Sequence, residues 1–264
     1  MTNVERCIPK GRRLGRFEGP DGVFMGLLDG GRGEATGSCD LAGVIAQGCG
    51  GTGRTYPLEE LRVLAPVHRP SKIICIGLNY RSHIREMGWE TPEVPIIFTK
   101  PSSAIVGPGE GIVLPGASSR VDFEGESAFV VGRMARRASD GEAHIFGYTC
   151  MNDVTARDLQ KTDPDWTRAK GFDTFAPIGP FISARPPTTV ETRLNGRVVQ
   201  SSPLSDRVFG DAALVEYIST VMTLEPGDVV ATGTPSGIAP MKAGDVVEVE
   251  LDGVGCLKNP VVAR

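Results

Sequence analysis

The stretch VDFEGESAFVVG, residues 121–132, decides the fold and, read with YTCMNDVTARDLQ at 148–160, the chemistry. Its apolar and small residues are written for a β-strand, yet Glu124 and Glu126 stand two residues apart within it. Side chains at i and i+2 of a strand leave on the same face. Two carboxylates held side by side repel each other, and burying them unpaired is costly. A hard divalent cation with oxygen ligands resolves that repulsion. Asp153 follows a second apolar run, where a helix is expected to begin, and can supply a third oxygen. The Glu-x-Glu spacing equally fits the solvent face of an amphipathic strand, and a carboxylate at 153 equally fits a helix cap. Spacing alone does not choose between them.

Outward from this stretch, strand signals dominate. KIICIGLNY, 72–80, is a continuous apolar run expected to be a buried strand. FTKPSSAIVGPGEGIVLP, 98–115, reads as strand, turn, strand, with Ser102 and Ser103 in the turn. TRLNGRVVQ, 192–200, carries an Asn-Gly type I′ hairpin, and further hairpins are expected at Pro20-Asp21-Gly22 and Asp252-Gly253. Residues 132–144, which include His144, read as a solvated hairpin tip. DLAGVIAQG, 40–48, suits a short helix capped by Asp40, and Val215, Ile218 and Met222 mark a core-facing helical stripe. GCGGTGRT, 48–55, lacks the Gly-Lys-Ser/Thr of a phosphate loop and reads as a plain loop. The fold class expected is mixed α/β, with residues 1–70 a small N-terminal module and 71–264 a catalytic domain.

Composition removes several classes of function. A chain of 264 residues buries a sizeable core, and 34 glycines with 20 prolines point to many turns rather than a helical bundle. Net charge is −4 with mixed signs and no basic stripe, so no nucleic acid is expected as a partner. No apolar run approaches the roughly 18 residues of a membrane span, and the N-terminus lacks the apolar core of a secretory signal. Cys7, Cys39, Cys49, Cys75, Cys150 and Cys256 are spread singly, which with three histidines argues against a zinc cage. They read as small core residues of a reducing, cytoplasmic protein.

His83 and Glu86 stand three apart in RSHIREMG, so on one helical turn they face the same way. A carboxylate there orients the imidazole and raises its basicity for deprotonating water. An exposed helix with a chance ion pair has the same spacing.

Six motifs in order resemble the fumarylacetoacetate hydrolase superfamily, closest to its short-chain acylpyruvase branch. They are GLNYRSHIREMG at 77–88, FTKPSSAIVGPG at 98–109, DFEGE at 122–126, NDVTARDLQ at 152–160, KGFDTFAPIGP at 170–180 and TGTPSGI at 232–238. The resemblance runs from about Lys72 to the C-terminus. It implies a β-roll of mainly antiparallel strands, a homodimer, and a lid over 81–95 that orders on substrate. It also implies metal ligation by Glu124, Glu126 and Asp153, with Mg²⁺ or Mn²⁺ preferred over Ca²⁺, and a water-activating dyad of His83 and Glu86. Lys170 matches the family lysine beside the metal, Gln160 a position facing substrate, and Thr234 is expected to offer its hydroxyl to a substrate carboxylate. Arg157 and Asp158 are expected to pair with each other, and Asp173 to be structural.

The activity these readings imply is C–C bond hydrolysis of small 2,4-dioxo acids of acylpyruvate or fumarylpyruvate type, or decarboxylation of oxaloacetate, through a metal-stabilised enolate. The alternative is an isomerase of 2-hydroxyhepta-2,4-diene-1,7-dioate type in aromatic catabolism. A protein that binds such a metabolite without turnover is the rival from another class.

Overall fold

The structure is a computed structural model that describes residues 7–264. Its backbone is a twelve-stranded sheet. In spatial order the main path is Gly51–Pro57, Arg32–Thr36, Gly22–Asp29, Arg13–Gly19, Ala176–Ser183, Ile145–Asn152, Gly125–Val131, Val229–Ala231, Ile73–Gly77 and Ile96–Lys100. Neighbours along this path are antiparallel except Val229–Ala231 against Ile73–Gly77. A five-stranded sheet built from Arg197–Pro203, Thr189–Leu194, Val246–Leu251, Gly255–Ala263 and Ile112–Leu114 closes the roll. The mixed, mostly antiparallel architecture agrees with the expected class.

Gly125–Val131 lies at the centre and is buried on both faces. Ala128 and Val130 point into a core with Leu14, Ile73, Met151 and Ile182. Phe129 and Val131 point the other way, into a core with Val249, Leu257 and Ile218. Two buried faces explain why this segment reads as an unbroken apolar run, without polar alternation. The helix Asp211–Val221 covers the second core with Leu214, Val215 and Ile218, while Met222 lies just past its end. The Asp40 cap and all three hairpin turns form as the sequence predicts; Asn195 and Gly196 both take positive φ.

Residues 13–57 form an antiparallel run with a short helix, and Leu14 pairs with Ile182 to continue the main sheet. The expected loop at 48–55 is corrected here: from Gly51 the chain is an edge strand paired with Arg32–Thr36. Cys7 and Cys49 form a disulfide, so the reading of all six cysteines as single reduced thiols is also corrected. Cys75 and Cys150 are buried and free, as core residues. No helix among the described residues is long and apolar enough to cross a membrane.

The 121–132 strand is not continuous. Val121–Phe123 belongs to a small three-stranded sheet, Gly125–Val131 to the large one, and Glu124 sits at the junction. Its amide donates to the Asn152 side chain and its carbonyl accepts from Asp153 N, in place of a regular ladder. The break brings the first acid to the turn that carries the third.

Candidate active site

Glu124, Glu126 and Asp153 converge, all three nearly inaccessible to solvent, with one oxygen from each within 4.8 Å of the others. Asp153 does not cap a helix. Thr155–Ala156 intervenes as a short strand, and the helix Arg157–Thr162 begins four residues later, so the capping alternative falls. The Asp153 carboxylate instead accepts from Lys100 Nζ at 2.6 Å and from Lys170 Nζ at 2.6 Å. Lys170 also donates to Glu124 at 2.9 Å, and the Arg157 guanidinium donates to the other Glu124 oxygen. Glu126 accepts from Gly233 N at 2.7 Å and has no cation at salt-bridge distance among the described residues.

The two glutamates therefore titrate in opposite directions. Burial pushes the Glu124 carboxyl up, but Lys170 and Arg157 outweigh it and hold it below the usual carboxylate range. Burial, then the Asp153 and Glu124 charges, push Glu126 well above that range. Burial lowers the Lys170 ammonium, yet Asp153 and Glu124 carry it above the ordinary lysine value. The donor set tests well for a hard divalent cation: three oxygens and no sulfur or nitrogen, close enough to share one ion, with Glu126 in need of positive charge.

Over this cluster lies the helix Arg81–Met87, closed by Gly88 in the left-handed conformation that a C-terminal glycine favours. His83 is buried on its inner face, and its Nδ1 is 2.9 Å from Glu86 Oε2. The other Glu86 oxygen accepts from Gly237 N at 2.9 Å, tying the helix to the TGTPSG loop. Arg81 donates to backbone carbonyls of 205–207, and Ser82 N to Asp206, which fixes the opposite end.

The cavity of about 420 Å³ between helix and acids has an apolar wall of Met87, Trp89, Phe98 and Trp166 and a polar wall of His83, the three acids, Arg157, Gln160, Lys161, Lys170 and Thr234. The structure thus brings His83, Glu124, Glu126, Asp153, Gln160, Lys170 and Thr234 to one cavity, with Glu86 immediately behind His83. The Thr234 hydroxyl is already engaged, donating to Gly125 O and accepting from Gln200. Gln160 Oε1 accepts from Arg157. The expected Arg157–Asp158 pair does not form: Arg157 turns inward to Asp122 and Glu124, and Asp158 turns outward to Ser118 and Ser119. Ser102 binds Pro70 O in a turn role. A larger groove of about 970 Å³ beside the C-terminal hairpin holds paired charges, such as Arg185 with Asp252 at 3.7 Å.

Lys100 and Arg157 are the site residues that sequence reasoning passed over. Lys100 follows Phe98 by two in its strand, so both share the face toward the acids, a signal present in the alternation. Leu78, at φ +52°, lines the cavity just before the helix Arg81–Met87, an uncommon conformation for a bulky residue.

Comparison with known proteins adds four findings. A family profile described as "Fumarylacetoacetate (FAA) hydrolase C-terminal" matches residues 72–262. The chain is 46% identical to the Mycobacterium tuberculosis protein Rv2993c, over 96% of this chain and 98% of that protein. It is 41% identical to the mitochondrial oxaloacetate tautomerase of Bos taurus, over 78% of this chain and 71% of that protein. Among solved structures, the 2-hydroxyhepta-2,4-diene-1,7-dioate isomerase of Mycobacterium marinum superposes with a TM-score of 0.86 at 43% identity, covering 96% of this chain and 99% of that one.

Proposed function

The chain belongs to the fumarylacetoacetate hydrolase family, and from that premise we propose that it is a divalent-cation-dependent enzyme moving a proton on a small 2-oxo dicarboxylic acid, as a keto–enol tautomerase or double-bond isomerase. The observation that carries this reading is His83, held by Glu86 and lining the same cavity as three carboxylates and Lys170. Relatives at 41–43% identity with tautomerase and isomerase names support it over hydrolysis.

Glu124, Glu126 and Asp153 would hold Mg²⁺ or Mn²⁺, which when bound supplies Lewis-acid polarisation of a 2-oxo group. Glu86 accepts from His83 Nδ1 and so leaves Nε2 as the basic nitrogen. His83 Nε2 takes a proton from the carbon beside the oxo group; the C–H electron pair becomes a C=C bond and the oxo oxygen gains the charge. His83 then returns the proton, to the oxygen for tautomerisation or to a remote carbon for isomerisation. Lys170 and Arg157 supply positive charge for a substrate carboxylate, and the apolar wall under Trp89 and Met87 excludes water.

A second reading, hydrolysis of a 2,4-dioxo acid or decarboxylation, rests on the same dyad, because His83 Nε2 can equally take its proton from water. The experiment follows oxaloacetate enol decay by ultraviolet absorbance, and pyruvate release from acetylpyruvate, fumarylpyruvate and oxaloacetate, each with Mg²⁺ and with EDTA. Metal-dependent enol conversion without pyruvate supports the tautomerase. Metal-dependent pyruvate replaces it with the second reading. Loss of both activities in His83→Ala with metal binding intact assigns the dyad, and unchanged turnover in that variant removes it.

A further inference from the structure

We propose that Gln200, a residue of the opposite sheet, is a positioning residue that sets both the acid cluster and the His83–Glu86 pair; this rests on the reading of that site given above. Gln200 lies in the strand Arg197–Pro203 and is buried. Its Oε1 accepts from Gly125 N at 3.0 Å, and Gly125 is the residue between the two glutamates. Its Nε2 donates to Thr234 Oγ1 and to Pro235 O, both at 2.8 Å. Thr234 Oγ1 closes the ring by donating to Gly125 O at 2.9 Å. One side-chain amide thus fixes the separation between the acid-bearing strand and the TGTPSG loop.

That loop acts at both ends. Gly233 N donates to Glu126, and Gly237 N donates to Glu86, the residue that holds His83. Displacing it moves an acid and the base together.

Two glycines show how closely these segments pack against the strand of Gln200. A Cβ on Gly125 would lie 3.2 Å from Gln200 Oε1 and 1.9 Å from Thr192 Oγ1. A Cβ on Gly237, already at φ +103°, would lie 2.1 Å from Val199 O and 3.2 Å from Gln200 Cγ. The glycine between the acids therefore leaves room for Thr192, in the neighbouring strand, and for the Gln200 amide to approach the acid-bearing segment. Partners that orient the groups holding a metal ion change its affinity, or the activity, by about 10–100-fold when removed.

The test is Gln200→Met, which keeps length and apolar burial and removes all three hydrogen bonds, alongside Thr234→Val, Thr234→Ser and the double variant Gln200→Met/Thr234→Val. Mn²⁺ affinity is read by electron paramagnetic resonance titration, and kcat and KM by oxaloacetate enol conversion, at a temperature well below each melting transition. The expected result is Mn²⁺ binding about 10–100-fold weaker in Gln200→Met, with kcat lowered more than KM is raised. The double variant should be no worse than the poorer single, because both break one bridge. Thr234→Ser, which keeps the hydroxyl, should bind as wild type does. Wild-type Mn²⁺ affinity and kcat in folded Gln200→Met, whatever its melting temperature, overturn the inference. If that variant does not fold, equal Mn²⁺ affinity in Thr234→Val and Thr234→Ser overturns it instead. A wild-type protein that binds no Mn²⁺ refutes the functional reading itself, and the inference with it.

Discussion

Replacing Lys100 by Met tests whether the acid cluster is held by buried cations. The Lys100 side chain is inaccessible to solvent, its ammonium 2.6 Å from Asp153 Oδ1 and 3.0 Å from Val154 O. Met preserves most of the apolar stem, so the loss is that of the charge and its hydrogen bonds. Breaking a buried pair by removing one partner costs about 3–5 kcal/mol, because the other charge stays buried. Lys170 still donates to Asp153 Oδ2, which favours the lower end of that range, while the orphaned Val154 carbonyl adds to the cost. At about 2–4 °C per kcal/mol for a chain of this size, the melting temperature should fall by roughly 6–20 °C. Circular dichroism melts in EDTA measure it, with the exposed Lys10→Met as control. Added Mn²⁺ should recover more of the melting temperature in Lys100→Met than it adds to wild type, since Asp153 then lacks a compensating charge. A variant melting within about 2 °C of wild type in EDTA would refute the claim that Lys100 balances Asp153.

Four further outcomes are expected. Gly125→Ala should destabilise by about 1–3 kcal/mol in urea titrations through overpacking against Thr192, and adding Thr192→Ala should recover part of that loss; additive losses would show the clash is not the cause. Thiol titration of the unfolded, unreduced protein should find four reactive thiols rather than six, and Cys49→Ser should cost about 2–4 kcal/mol; six thiols would remove the disulfide. Burial raises the Asp158 carboxyl, but hydrogen bonds from the Ser118 hydroxyl and from the Ser119 amide and hydroxyl outweigh it and hold it below the usual range. Its folded value is then below its unfolded value of about 3.9, so it stabilises above that pH and the contribution fades as pH falls through the folded value. The stability gap between wild type and Asp158→Asn should therefore narrow below about pH 4 in urea midpoints taken from pH 6 to 3, and a constant gap would exclude the linkage. Phe129→Ala should lose about 3–5 kcal/mol by opening a cavity in the second core, and a loss below about 1 kcal/mol would mean the two sheets are not packed through it.

What the sequence revealed and what it hid divide along sequence separation and side-chain burial. Glu124 with Glu126, and His83 with Glu86, stand in short motifs as local neighbours, so spacing offers each pair, while the family resemblance adds Asp153 and chooses the chemistry. Lys100 and Arg157 reach the same acids from 53 and 33 residues away, and their charges read as ordinary until a strand face or helix start is fixed. The edge strand at Gly51 escaped for a different reason. Its side chains are largely exposed, so it carries no alternation, and backbone pairing with Arg32–Thr36 holds it in place. The same limit concealed the break at Glu124. A continuous apolar pattern reports burial on two faces but is silent about a change of sheet between Phe123 and Gly125. That change matters for function, because a regular strand would keep Glu124 N in a backbone ladder. Here the amide goes to Asn152 and the next one to Gln200, two side chains in place of two carbonyls. The acid-bearing segment is thus positioned by side chains at both amides, from Asn152 and Gln200, 28 and 75 residues away, so its geometry depends on long-range partners rather than on its own spacing.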